Sequence, residues 1–65
     1  MRGGMSPAAL QLASEGQSVL EVARELNQSP AYISLQLSGR RKMSEKLLDV
    51  ISADVLSRVP DYERR

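Results

Sequence analysis

Arg40, Arg41 and Lys42 stand together directly after Gly39, and Lys46 follows one helical turn later. Guanidinium and ammonium groups grouped in this way pair with phosphate or other polyanions. No acid occurs between Leu26 and Ser44, whereas the eight acids of the chain lie before and after that stretch. The formal net charge is only +1, so this asymmetry, and not the overall balance, carries the information. A basic patch on one side of a nearly neutral chain is an electrostatic footprint for a polyanion. A solvated loop that happens to be basic has the same composition, so the charges need a structure around them before they imply a partner.

Other chemistries are poorly represented. Cysteine and histidine are both absent, which removes disulfides, zinc fingers, thiol chemistry and the usual acid–base residue. There is no glycine-rich phosphate loop. Ser6, Ser29 and the carboxylates have no partners that would make a catalytic set, and 65 residues leave little chain to enclose a pocket. The chain is therefore expected to be neither an enzyme nor the holder of a cofactor or metal. No apolar run approaches the ~18 residues of a membrane span and no signal peptide is visible, so a cytoplasmic, nucleoid-associated protein is expected.

The elements that would position the cations read as helices throughout. At 42% apolar and 3% aromatic the chain must build an aliphatic core. A core of this size rarely supplies more than ~3–5 kcal/mol. Ser6-Pro7 is a cap followed by a first-turn proline, which predicts a helix over 7–15, with Met5 and Leu10 spaced as a hydrophobic staple. Ala9, Leu12 and Ala13 form its inward stripe and Gly16 ends it. Ser18 and Glu21 form a capping box for a second helix over 19–26, whose Val19, Val22, Ala23 and Leu26 make one face. Ser29-Pro30 repeats the cap-and-proline signal. Because proline cannot sit inside a helix, a third helix over 30–38 must be separate from the second, and Asn27 is the residue placed to take positive φ between them. Ile33 and Leu37 face inward, Pro30, Ala31, Ser34, Leu35 and Ser38 outward, with Tyr32 and Gln36 on the flank. Ser44 starts a last helix over 45–59, with Met43 and Leu48 as a staple and Leu47, Leu48, Ile51, Val55 and Val59 as its stripe. It is expected to be continuous because no glycine or proline interrupts it. Residues 1–4 and 60–65 are expected to fray.

The expected fold is thus a single all-α domain, a small four-helix bundle, with Val22, Ala23, Leu26, Ile33, Leu37, Leu48 and Ile51 in its core. Two helices joined by a three-residue turn, the second short and outwardly polar, make a helix-turn-helix. The outer face of the third helix would fit a DNA major groove about 12 Å wide. Small residues on it (Ala31, Ser34, Ser38) let the backbone approach bases. Leu35 would meet a thymine methyl, or else pack on the last helix or on a partner chain.

The stretch from Val19 to Ile51, about half the chain, resembles the phage repressor and Cro family of helix-turn-helix domains. The resemblance is carried by Val22-Ala23 in the supporting helix, Leu26 closing it, Ser29 starting the next and Ile33-Ser34 in its middle. Gly39, Arg40, Arg41, Ser44, Leu47 and Ile51 complete it. Two features depart from the family: Asn27 stands where glycine is common, and the fifth helix of many members is not expected. The resemblance implies sequence-specific binding of double-stranded DNA by a small transcriptional regulator. It implies that Ser29, Ala31, Tyr32, Ser34, Leu35 and Gln36 face DNA, with Gln36 paired to adenine and Tyr32 on a phosphate or base. Arg40, Arg41 and Lys42 would clamp backbone beyond the helix. Gln17 and Ser18 would offer amide donors to a phosphate at the start of the second helix. For Ser18 and Ser29 capping is the favoured role, and it does not exclude a phosphate contact. A second copy of the chain is a further candidate partner, through Val55, Leu56 and Val59. Two other readings stay open: a helical protein-interaction module, and the DNA-binding part of a larger recombination or transposition protein.

Overall fold

In the computed structural model, which describes residues 5–60, five helices follow one another: α1 (Pro7–Ser14), α2 (Val19–Leu26), α3 (Pro30–Leu37), α4 (Glu45–Val50) and α5 (Ala53–Leu56). Among the described residues there is no strand. A serine in extended conformation opens each helix and accepts a hydrogen bond from the amide three residues on. The pairs are Ser6 with Ala9 (3.3 Å), Ser18 with Glu21 (3.0 Å), Ser29 with Tyr32 (3.1 Å), Ser44 with Leu47 (3.2 Å) and Ser52 with Val55 (3.1 Å). Such a cap typically stabilises a helix by ~1 kcal/mol, a large fraction of what a chain of this size has.

The first three helices end alike. Gly16 (φ 86°), Asn27 (φ 58°) and Gly39 (φ 81°) are left-handed. In each case the amide of the next residue reaches back five positions: Gln17 to Leu12 (3.2 Å), Gln28 to Ala23 (2.9 Å) and Arg40 to Leu35 (2.9 Å). This is the Schellman arrangement, and Asn27 supplies by its tolerance of positive φ what glycine supplies in the other two.

The core consists of Ala8, Ala9, Leu12, Val22, Ala23, Leu26, Ile33, Leu37, Leu47 and Val55. The inward residues expected for α2 and α3 are therefore in place. The last third of the chain differs from the sequence reading. The helix expected over 45–59 breaks at Ile51, which is extended (φ −95°, ψ 151°), and Ser52 starts α5. After the break α5 packs on α1, and Val55 is completely buried. α4 is also rotated from the expected facing. Leu47 is fully buried while Leu48 is 40% exposed, and Ile51 packs only partly against the core. In α1 the buried alanines are Ala8 and Ala9, whereas Ala13, Met5 and Leu10 are exposed. Of the proposed self-association surface, Val55 is in the core and Val59 packs against it, so only Leu56 remains exposed. Pro60, expected to fray, is half-buried, with its backbone seated over Gly39. The expectation of frayed ends at 1–4 and 61–65 lies outside the described residues.

A polar clasp holds α5 to α1. The Glu15 carboxylate accepts hydrogen bonds from Gln11 (2.9 Å) and from the Ser52 hydroxyl (2.8 Å). These bonds, Gln11 first, together with the charge of Arg58, hold its pKa below the ordinary value of 4.5. A carboxyl group with a depressed folded-state pKa contributes stability that is present above its unfolded pKa and is lost as pH falls through the folded value. Glu15→Gln should therefore lower the midpoint of thermal melting at neutral pH. The gap to the parent should close once pH drops below the acidic range of carboxylates. A gap unchanged in acid would show that the carboxylate charge does not hold the clasp.

Candidate nucleic-acid interface

α3 packs against α2, and its Ile33 and Leu37 are both without solvent exposure. Its far side presents Ala31, Tyr32, Ser34 and Leu35, with Ser29 and Pro30 exposed at its start. Tyr32 and Leu35 are each 38% exposed, so both keep apolar area in water that a ligand can cover. Ser29 is occupied as the cap of α3, yet its exposure leaves its hydroxyl hydrogen accessible. Ser38 is half-buried and donates its hydroxyl to the Leu35 carbonyl (3.0 Å).

The basic segment leaves the carboxyl end of this face. The Leu35 carbonyl accepts the backbone amides of both Arg40 (2.9 Å) and Arg41 (3.3 Å), so the direction in which the chain departs is set by α3. The side chains of Arg40, Arg41 and Lys42 are exposed. The structure therefore joins an exposed helix face of mixed character, two small residues beside Tyr32 and Leu35, to a run of three cations through one left-handed glycine.

Two sequence-based assignments do not survive. Gln36, expected to reach a base edge, is completely buried. Its amide nitrogen donates to Oε1 of Gln28 (3.0 Å) and to the Tyr32 carbonyl (3.3 Å), and its Oε1 accepts the Ser44 amide (2.7 Å). The signal was in the spacing: Ile33, Gln36 and Leu37 fall at i, i+3 and i+4, the inward face of a helix, and only the polarity of glutamine argued otherwise. The phosphate donors expected at the start of α2 are also taken. The Gln17 amide donates to Leu12 (3.2 Å) and the Ser18 amide to the Glu21 carboxylate (3.2 Å), which closes the capping box and sets an acid at that helix end. What remains there is the exposed Gln17 side chain and, as at Ser29, the hydroxyl hydrogen of the exposed Ser18 cap.

Gln28 and Ser44 are not among the site residues expected from the sequence, and both are half-buried behind the exposed face of α3, bonded to Gln36. Gln28 donates to the Ser44 hydroxyl at 3.4 Å. Among the described residues no group of three or more His, Cys, Asp or Glu side chains could hold a metal ion, and no helix is long and apolar enough to cross a membrane. No protein-family model, curated protein or solved structure matches the chain.

Proposed function

We propose that this protein binds double-stranded DNA, with α3 in the major groove and Arg40, Arg41 and Lys42 on the flanking phosphates, and that it acts as a small transcriptional regulator. The observation that carries this reading is the continuity between the exposed Ala31–Tyr32–Ser34–Leu35 face and the basic segment. A helix of about 10–12 Å diameter matches a major groove about 12 Å wide. Small residues at Ala31 and Ser34 bring its backbone near the base edges. Leu35 offers apolar contact to a thymine methyl, and the hydroxyls of Tyr32 and Ser34 can donate to bases or phosphates. The cations, lying beyond the helix end, meet the sugar–phosphate rim.

Binding of labelled duplexes across a salt series tests the reading. Affinity should fall steeply with salt, because each phosphate contact releases counterions. Arg41→Ala should weaken binding about equally on every sequence and reduce the salt slope by ~1. Leu35→Ala should instead cost ~1–3 kcal/mol on the preferred site and relax preference at one position. Salt-independent binding, or none at all, would favour a protein partner on Tyr32 and Leu35. A change of sequence preference in Arg41→Ala, without one in Leu35→Ala, would remove α3 from the groove.

A further inference from the structure

The buried side chain of Gln36 has no role in contacting a ligand, and a leucine or methionine would fill its space. An amide in an aliphatic core is costly unless every polar atom is paired. Here every one is: both hydrogens donate, to Gln28 and to Tyr32, and the oxygen accepts the Ser44 amide. Gln28 closes the ring through the Ser44 hydroxyl, which also caps α4 at the Leu47 amide. A fully satisfied network of this kind rigidifies the core around it and specifies one geometry.

Its position shows what that geometry controls. The basic segment starts where the Leu35 carbonyl accepts the Arg40 and Arg41 amides, and it ends where the Gln36 side chain accepts the Ser44 amide. Both anchors are consecutive residues of α3. The segment from Arg40 to Met43 is thus a loop clasped at its two ends to a single turn of that helix. We infer that Gln36 is a positioning residue: it fixes where Arg41 and Lys42 stand relative to the exposed face of α3, and so holds the phosphate contacts in register with the base contacts. This rests on the DNA-binding reading of the same site.

Gln36→Met removes the hydrogen bonds and keeps the chain length of the side chain. Its DNA affinity, measured where circular dichroism shows it folded, should fall roughly tenfold at moderate salt, and the salt slope should shrink by ~1. Coupling is the readout that a merely structural role would not move. Arg41→Ala should weaken the parent roughly fivefold to tenfold but the Gln36→Met protein less than about twofold, because there the guanidinium is already out of place. Equal factors in the two backgrounds would overturn the inference. Amide hydrogen exchange of the DNA-free protein decides the matter independently. Ser44 precedes α4 and has no helical acceptor, so its amide should exchange as slowly as those of α3 only if Gln36 holds it. Exchange at the rate of an open loop in the parent would overturn the inference even where Gln36→Met does not fold. If the parent binds no duplex, the DNA reading fails, and the exchange of Ser44 still shows whether Gln36 clasps the segment.

Discussion

Gly39→Ala should leave a large share of the protein unfolded at room temperature. Gly39 has φ 81°, a conformation that costs an L-residue ~1–2 kcal/mol. Space is also lacking. A Cβ built at Gly39 runs into the carbonyl oxygen of Pro60, with the carbonyl carbon at 3.0 Å and the proline Cβ at 3.2 Å. Backbone atoms cannot swing aside as a flexible side chain can, so the Val59–Pro60 segment must lift, taking Val59 off the core. Overpacking of this kind adds ~1–3 kcal/mol. Together the two effects amount to ~2–5 kcal/mol, against the ~3–5 kcal/mol available to a core of this size. Gly16→Ala is the internal control. Its φ is 86°, but nothing lies within 4 Å of an added Cβ, so only the conformational cost of ~1–2 kcal/mol applies. Urea denaturation of the two variants measures the difference. Equal losses would show that Pro60 does not rest on Gly39 in solution.

Ile33→Ala should cost ~2–5 kcal/mol, whereas Leu48→Ala should cost under ~1 kcal/mol. Helical periodicity alone assigns both residues to the core. Ile33 is wholly buried in the core, so its truncation leaves a cavity that the short helices cannot close without shifting. Leu48 is 40% exposed, and Leu47 fills the interior in its stead. For a domain of this length each kcal/mol moves the melting midpoint by roughly 4–8 °C, so the pair is easily separated in thermal melts. Comparable losses would mean that α4 is turned about its axis from the facing described above. On the DNA-binding reading proposed above, Ile33→Ala should also weaken duplex binding through loss of folded protein, and added duplex should raise its melting midpoint.

The helix-turn-helix was legible because its signals are local. Ser6, Ser18, Ser29 and Ser44 each cap a helix through a bond that spans three residues, and Pro7 and Pro30 fix helix starts through their own φ. Gly16, Asn27 and Gly39 end helices through backbone freedom that belongs to the single residue. The basic run after Gly39 is visible as composition. None of these depends on a distant part of the chain. What the sequence left open is decided between elements. Ser52 carries the same capping signal as the other serines, but whether a helix breaks there depends on what the break gains. Here it brings Val55 into the core and joins Ser52 to Glu15, 37 residues away. The facing of α4 and the seat of Pro60 on Gly39 are likewise contacts between parts of the chain far apart in sequence. Gln36 shows the limit most clearly. Its spacing placed it inward and its polarity outward, and only the arrival of Gln28 and the Ser44 amide at its amide group makes burial tolerable, because an amide can leave water only where partners replace it.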